Sequence, residues 1–307
     1  MRSGGTGNHR VPPAFLTMEY RRMRMLEHCF SRRHWAIMAA WAAVASVALL
    51  ATGCANPGGM ARSDSIQTRL SSLGPAQVII LGEQHDAREH QQLETLAVQQ
   101  LAQHNQLGAL VLEMAEQGTS TASLRWFASE VEIQQALAWN DQAWSWFDYG
   151  PAVVAAVRAG VPVLGGNLPR ARLAEAMADA SLDTLLNAKA LGTLQDAVRE
   201  GHCSKLPESQ IAPMARVQVA RDRTMAQTAA QAIRIGRTVL IITGAAHADR
   251  RFGIANHLPP KTMVRTVKLW ATDTSPSVTP MVPGYDDLWR TYPVAPQDYC
   301  ARIKAQP

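Results

Sequence analysis

The chain reads as an α/β protein: a mostly parallel sheet flanked by helices, with a small helical insertion or subdomain beside it. Three observations predict this. Short apolar, β-branched runs recur along the chain, segments of helical length separate them, and several runs end in glycine followed by polar residues. Strands that are apolar throughout belong to parallel sheets covered on both faces.

Val78-Ile79-Ile80-Leu81 is the first such run, closed by Gly82. Residues 86–103 follow as a helix, with Leu93, Leu96, Ala97 and Leu101 on one face. Residues 109–112 (ALVL) are a second strand, ending at Glu113. Residues 115–150 interrupt the alternation with turn residues and then a dense aromatic cluster, which reads as the insertion. A short helix over 151–159 carries Pro151 in its first turn. Residues 161–164 (VPVL) are a third strand, 170–200 and 208–235 are helical, 238–242 (TVLII) is a fourth strand, and 264–269 a fifth. The proline-bearing stretch 271–307 reads as loops and short helices.

The N-terminus reads as a targeting segment rather than as part of the fold. Residues 1–34 are basic, 35–51 carry no charge, and Thr52-Gly53-Cys54 follows. This order describes a lipoprotein signal over 1–53, lipidation at Cys54 and a tether over 54–74, ahead of one large domain over 75–307. The place three before the cysteine holds Ala51, with Leu50 one step further back. A plain signal-anchor helix is the alternative, since the apolar run approaches bilayer-spanning length. Asn56, in place of an aspartate at the second position after the cysteine, points to the outer membrane.

Removing the leader changes the charge reading. Seven Arg and two Glu fall within residues 1–53, which leaves 23 basic and 23 acidic residues in the remainder. A formally neutral domain offers no argument for a nucleic-acid partner. Only Cys203 and Cys300 remain as cysteines, and in an oxidising envelope they are disulfide candidates; two free or buried thiols are the alternative.

Polar residues gather where strands end. The first strand runs into Glu83-Gln84-His85, the second into Glu113, and the fourth into Gly244-Ala245-Ala246-His247. Ligands bind outside the carboxyl ends of open parallel sheets, so Glu83, His85, Glu113 and His247 converge if their strands are neighbours. Two carboxyl groups and two imidazoles can hold a divalent metal ion or run acid/base chemistry; alternatively they cap strand ends. Gly82 and Gly244 are expected to let the backbone turn off the strand. His90 reads as a helix-surface residue.

Trp139, Trp144, Trp146, Phe147 and Tyr149 crowd together. They form either a flat slot for a planar ligand, with the Tyr149 phenol at its edge, or the plug of a local core. Met214, Gln218, Arg221, Asp222 and Met225 recur at helical spacing and read as core and cap. His202 beside Cys203 is a ligand candidate or a disulfide neighbour. No Cys-x-x-Cys-His, phosphate-binding glycine loop or His-Glu-x-x-His is present.

Taken together, LGEQHD (81–86), LEM (112–114), GGNLPR (165–170), GHC (201–203), ARVQVARDRTMA (215–226) and TGAAHADRRFGIANHLP (243–259) resemble the successive blocks of the ChaN-like haem-binding lipoproteins. The resemblance spans about 75–300. It implies an envelope lipoprotein that binds haem as a homodimer, beside an outer-membrane haem receptor, and assists haem or iron acquisition. It also implies a tyrosine on the iron. Tyr149 in WFDYGP is the tyrosine carried over, with Tyr285, Tyr292 and Tyr299 as the others, while His85, Arg170, His202 and His247 are expected to contact the cofactor. The wider superfamily, with erythromycin esterases and the Tiki/TraB metalloproteases, implies instead a hydrolase using Glu83, His85, Glu113 and His247.

Overall fold

The computed structural model describes residues 65–272 and 282–302. The leader, Cys54 and most of the tether lie outside the described residues. Among the described residues no helix is long and apolar enough to cross a membrane.

Six parallel strands form one sheet: β1 (Val78–Glu83), β2 (Leu107–Glu116), β3 (Val163–Asn167), β4 (Thr238–Gly244), β5 (Val264–Ala271) and β6 (Asp287–Thr291). Their spatial order is β3-β2-β4-β1-β5-β6. β1 pairs with β4 from Val78↔Val239 to Glu83↔Gly244, which sets the two strand-end motifs side by side.

Alternation of side chains sorts the sheet into two faces. Ile79, Leu81, Leu110, Leu112, Leu240 and Ile242 join one buried cluster, which also holds residues of α2 (Arg88–Gln103) and α4 (Trp146–Arg158). Val78, Ile80, Ala109, Val111, Val239 and Ile241 join another, with Met225, Ala226 and Ala229 of α7 (Glu208–Ala232). The connections out of β1 and β2 thus use one face, and that from β3 to β4 uses the other. Right-handed crossovers demand this arrangement when the chain reverses direction across a sheet. The reversal sits at the adjacent pair β1 and β4, where an open α/β sheet leaves a crevice at its carboxyl ends.

A third cluster lies among helices. Leu182, Leu194, Val198, Ile211 and Val219 are buried where α6 (Ala188–Gly201) and the short α5 (Leu173–Ala178) pack along α7.

Several expectations change. Ile66–Ser72, read as tether, is a helix (α1), capped by the Ser65 hydroxyl accepting from Thr68 N at 3.2 Å. Ile66 and Leu70 pack against the core and Leu73 enters it, so the body begins near residue 65. The insertion is mostly irregular between Glu116 and Trp146, with one short helix, α3 (Glu130–Ala136), held by a Ser129/Glu132 capping box. Helix α4 starts at Trp146, which places Pro151 inside it, not in its first turn. The stretch expected to be loops and short helices also supplies an edge strand: Asp287–Thr291 carries Arg, Asp and Thr and forms β6, with one buried ring, Trp289.

Cys203 and Cys300 are joined in a disulfide, with Cα atoms 5.8 Å apart.

Candidate functional site at the carboxyl edge of the sheet

Glu83 closes β1 and is 2 % exposed. Its Oε1 accepts the Tyr149 hydroxyl at 2.6 Å and lies 2.8 Å from His85 Nδ1. Its Oε2 accepts from Gln91 Nε2 on α2. Burial, followed by the field of Glu83, pushes the Tyr149 phenol far above its ordinary pKa, so it stays a neutral donor. Glu94, one turn beyond Gln91, is also raised by burial and by Glu83, and is held protonated.

His85 is the accessible member, with its side chain 41 % exposed. With Nδ1 on Glu83, its Nε2 is the open nitrogen. Burial opposes charge on this ring, but the Glu83 hydrogen bond and the fields of Glu113 and Glu83 prevail, and the pKa rises. Its ring meets Trp144 edge-on at 5.0 Å.

Glu113 on β2 accepts Thr243 Oγ1 and Gly244 N, each at 2.7 Å. Burial would raise it, yet His247, His85 and these donors hold it down at about 2. His247 stands between two acids, its Nε2 3.6 Å from Glu113 Oε1 and its Nδ1 2.6 Å from Asp222 Oδ1. Burial works against its charge, but Asp222 and Glu113 raise it to about 9. Burial lifts Asp222 to about 6 despite the imidazolium. At neutral pH the buried set is an imidazolium flanked by two carboxylates.

The glycines of the two Gly-x-x-His motifs serve close approach rather than an unusual turn. A Cβ on Gly82 would stand 2.6 Å from Ala248 Cβ, and one on Gly244 would stand 2.8 Å from His85 Nε2. Gly244 itself has an ordinary φ of −63°.

The structure therefore brings Glu83, His85, Glu113, His247 and Tyr149 together. The aromatic residues divide. Trp139, Trp144 and Trp146 pack against the core around Tyr149, with Trp144 5.9 Å and Trp139 6.3 Å from its ring, whereas Phe147 is 69 % exposed beneath the Arg88 guanidinium. Tyr149 is 4 % exposed and faces Glu83. Arg170 is exposed past the end of β3, its backbone N bonded to Glu116. His202 stays with α6, its Nδ1 2.8 Å from Val198 O. His90, read as a surface residue, is fully buried: Nδ1 accepts from Gln84 N at 2.9 Å and Nε2 meets Thr291 Oγ1 at 3.0 Å. Burial drops its pKa to about 4, so it is a neutral brace under the His85 loop.

Gln91 enters unforeseen, and Asp222 and Tyr299 take partners the sequence did not assign them. Asp222 completes the His247 pair, and its one early signal was an acid set into the mostly apolar and small-residue face of a long helix. Gln91 holds Glu83. Tyr299 reaches the rim, donating to Asp86 Oδ2 at 2.7 Å and bonding Gln84 Nε2 at 3.2 Å. Beside it lies a shallow cavity of about 260 Å³ lined by Gln84, Ala271 and residues 293–297. A larger one of about 410 Å³ lies at the amino ends of the strands, away from these groups. Among the described residues no three His, Cys, Asp or Glu side chains are arranged to hold a metal ion.

Comparison with known proteins fits this architecture. Among solved structures, the chain is similar to ChaN of Campylobacter jejuni, a structure of cofacial haem binding, at 22 % identity and a TM-score of 0.56 over 68 % of this chain and 86 % of that one. It also matches the type III effector HopBA1 at 14 % identity and a TM-score of 0.47, over 76 % of this chain and 95 % of that one. No curated protein matches it. The profile described as haem-binding uptake, Tiki superfamily, ChaN matches residues 70–258, more than half the chain. The chain belongs to the ChaN family of haem-binding uptake proteins in the Tiki superfamily.

Proposed function

We propose that this chain is a cell-envelope lipoprotein, anchored through Cys54, that binds haem and assists haem or iron acquisition. The observation that carries the reading is the family match over residues 70–258. The carboxyl-edge crevice supports it: an accessible imidazole, His85, stands against the Trp144 ring at the strand reversal, where a planar apolar ligand with polar edges fits. Bound haem would supply a ferric iron that takes an axial oxygen or nitrogen donor.

A tyrosine is the proposed axial ligand. Tyr149 must release Glu83 before its oxygen can face a porphyrin, since its proton is committed there. Tyr299 is 47 % exposed at the rim of the crevice, and its hydroxyl donates to Asp86 Oδ2 at 2.7 Å. Hemin titration of the purified full-length chain, in detergent with a detergent-only control, tests the whole reading. Saturable one-to-one binding with a tyrosinate-type ferric spectrum is expected. Tyr299→Phe should shift the Soret band; if Tyr149→Phe alone shifts it, Tyr149 is the ligand. Absence of binding beyond the control removes the haem reading.

The buried Asp222–His247–Glu113 set beside Glu83–His85 favours a second reading, a hydrolase in which His85, oriented by Glu83, takes a proton from water at Nε2. That chemistry is acid/base and is carried by these side chains alone. Ester or peptide hydrolysis that vanishes in His85→Gln, with its low-pH limb set by the His85 pKa, would establish it. Wild-type turnover no faster than His85→Gln across a substrate panel would remove it.

A further inference from the structure

The edge of the sheet opposite the crevice has a chemistry of its own. It is built by the segments that lead into the strands: 73–77 into β1, 102–106 into β2, 157–162 into β3, 230–237 into β4 and 257–263 into β5. Backbone hydrogen bonds tie these segments into one surface. Thr238 N donates to Gln106 O at 2.7 Å, Gln77 N to Met263 O at 2.7 Å and Leu110 N to Pro162 O at 3.0 Å. The five segments contain no Asp or Glu, yet they carry Arg158, Arg234, Arg237 and Lys261. In a domain that is formally neutral, this edge holds a local excess of positive charge, while Glu83 and Glu113 stand at the other end of the strands.

The cations and their neighbours are arranged outward. The segments before β2, β3 and β4 surround the cavity of about 410 Å³, lined by Asn105, Gly160, Pro162, Arg234 and Arg237 among others. Arg237 lies across the start of β2, where a Cβ on Gly108 would stand 2.9 Å from Arg237 Cβ. Arg234 Nη1 caps the end of α7, donating to Gln231 O and Ile233 O at 2.9 Å each. Arg158 gives its Nη1 to Trp126 O and Ala128 O at 2.8 Å. Between Arg234 and Arg237 the chain makes a tight turn, closed by Arg237 N donating to Arg234 O at 3.2 Å, with Gly236 at a φ of +71°. Turn tips favour small polar residues, but this tip holds Ile235, which is fully exposed. Met263, two residues from Lys261, is exposed as well.

A lone exposed apolar side chain needs no explanation. An apolar tip between two arginines, on an edge built without acids, matches a surface that is anionic outside and apolar beneath. A bilayer interface has that order. An acidic protein surface would match the cations and leave Ile235 and Met263 without a role.

We propose that the amino edge of the sheet rests on an anionic lipid surface, with Ile235 entering the headgroup boundary and Arg237 and Lys261 beside lipid phosphates. This rests on the Cys54-anchored reading above and adds an orientation to it: the crevice faces away from the bilayer. The anchor alone leaves the orientation open, since a tether over 54–64 reaches up to roughly 35 Å when extended. Surface chemistry selects the edge.

The test uses the full chain, expressed with its leader and carrying Cys29→Ser. An environment-sensitive fluorophore is attached in detergent at Ile235→Cys or, as a control at the start of α4, at Phe147→Cys. The labelled chain is reconstituted into vesicles of phosphatidylglycerol and phosphatidylethanolamine, or of phosphatidylcholine alone. In the anionic vesicles the probe at 235 should shift to the blue and be quenched by brominated lipid, while the probe at 147 stays in water. Arg237→Glu with Lys261→Glu should lower the ratio of docked to undocked probe by about twentyfold or more, roughly fivefold for each cation lost. Circular dichroism checks that this double variant folds; if it does not, raising salt from about 0.1 to about 1 M, which cuts the screening length from about 10 to about 3 Å, must release the probe at 235 in the otherwise unaltered chain. A probe at 235 that stays in water, shifts no more than the one at 147, or shifts equally in phosphatidylcholine would overturn the proposal and leave the anchor standing. Mass spectrometry of the chain without an added cysteine separates the two readings: a label on Cys54 shows that it is not acylated, and removes the anchored reading and this inference with it.

Discussion

At the scale of single residues, the informative group is His247. Its imidazole sits 7 % exposed between Asp222 and Glu113. Its folded pKa of about 9 lies above its ordinary 6.5. A raised folded pKa means that the folded state holds the proton more tightly, so the stabilisation is fully present below about pH 6.5 and is lost as pH rises through about 9. Glu113 works in the opposite direction: its depressed pKa of about 2 contributes stability above about pH 4.5, and this is lost as pH falls towards 2. Wild type should therefore exceed His247→Gln in denaturant stability by most near pH 6, and the gap should close between about pH 6.5 and 9. A gap that stays constant over that interval would show that His247 is not charged in the folded protein. The same residue-scale logic separates the two histidine motifs. His247 is nearly buried, with Asp222 on Nδ1 and Glu113 3.6 Å from Nε2, whereas the His85 ring is far more exposed, with Nδ1 on Glu83. Identical spacing in the sequence thus yields two different chemical roles.

At the scale of elements, the C-terminal segment is the part whose place depends on a covalent bond. After β6 the chain passes over the carboxyl edge, and its last short helix, Tyr299–Arg302, carries both Tyr299 and Cys300. Cys300 is bonded to Cys203 in the turn between α6 and α7, 97 positions away in sequence. Lys205 Nζ also bonds Cys300 O. Tyr299 then touches Gln84 and Asp86 just past β1. Two elements far apart in sequence are tied across the rim of the crevice. Replacing both cysteines with serine should lower stability by about 2–4 kcal/mol, through the freedom regained by the unfolded chain. It should also expose residues 292–302 to protease before the rest of the domain. Cleavage at an unchanged rate would mean that the segment is held by its other contacts alone.

At the scale of the whole molecule, the sheet order decides what the motifs become. The parallel α/β class, the five apolar strands, the two long helices and the convergence of Glu83, Glu113 and His247 are all legible from pattern, because strand ends are marked by the loss of apolar residues and that mark is local. β6 was not legible: an edge strand buries little, and Asp287–Thr291 shows no apolar run. The helix α1 and the start of α4 at Trp146 are not legible for a related reason, since both depend on docking against a core assembled from distant residues. The site divides along the same line. The strand-end residues, the aromatic crowding and the pairing of two leftover cysteines could be read along the chain, and so could the family, whose profile covers residues 70–258. What the tertiary structure alone decided is the pairing of partners: Tyr149 on Glu83, Asp222 on His247, and Gln91 beneath His85. Sequence states which groups exist and how they are spaced within an element. Only packing brings α2, α4 and α7 over the strand ends, and only that packing removes the water that would otherwise leave each of these charges indifferent to its neighbours.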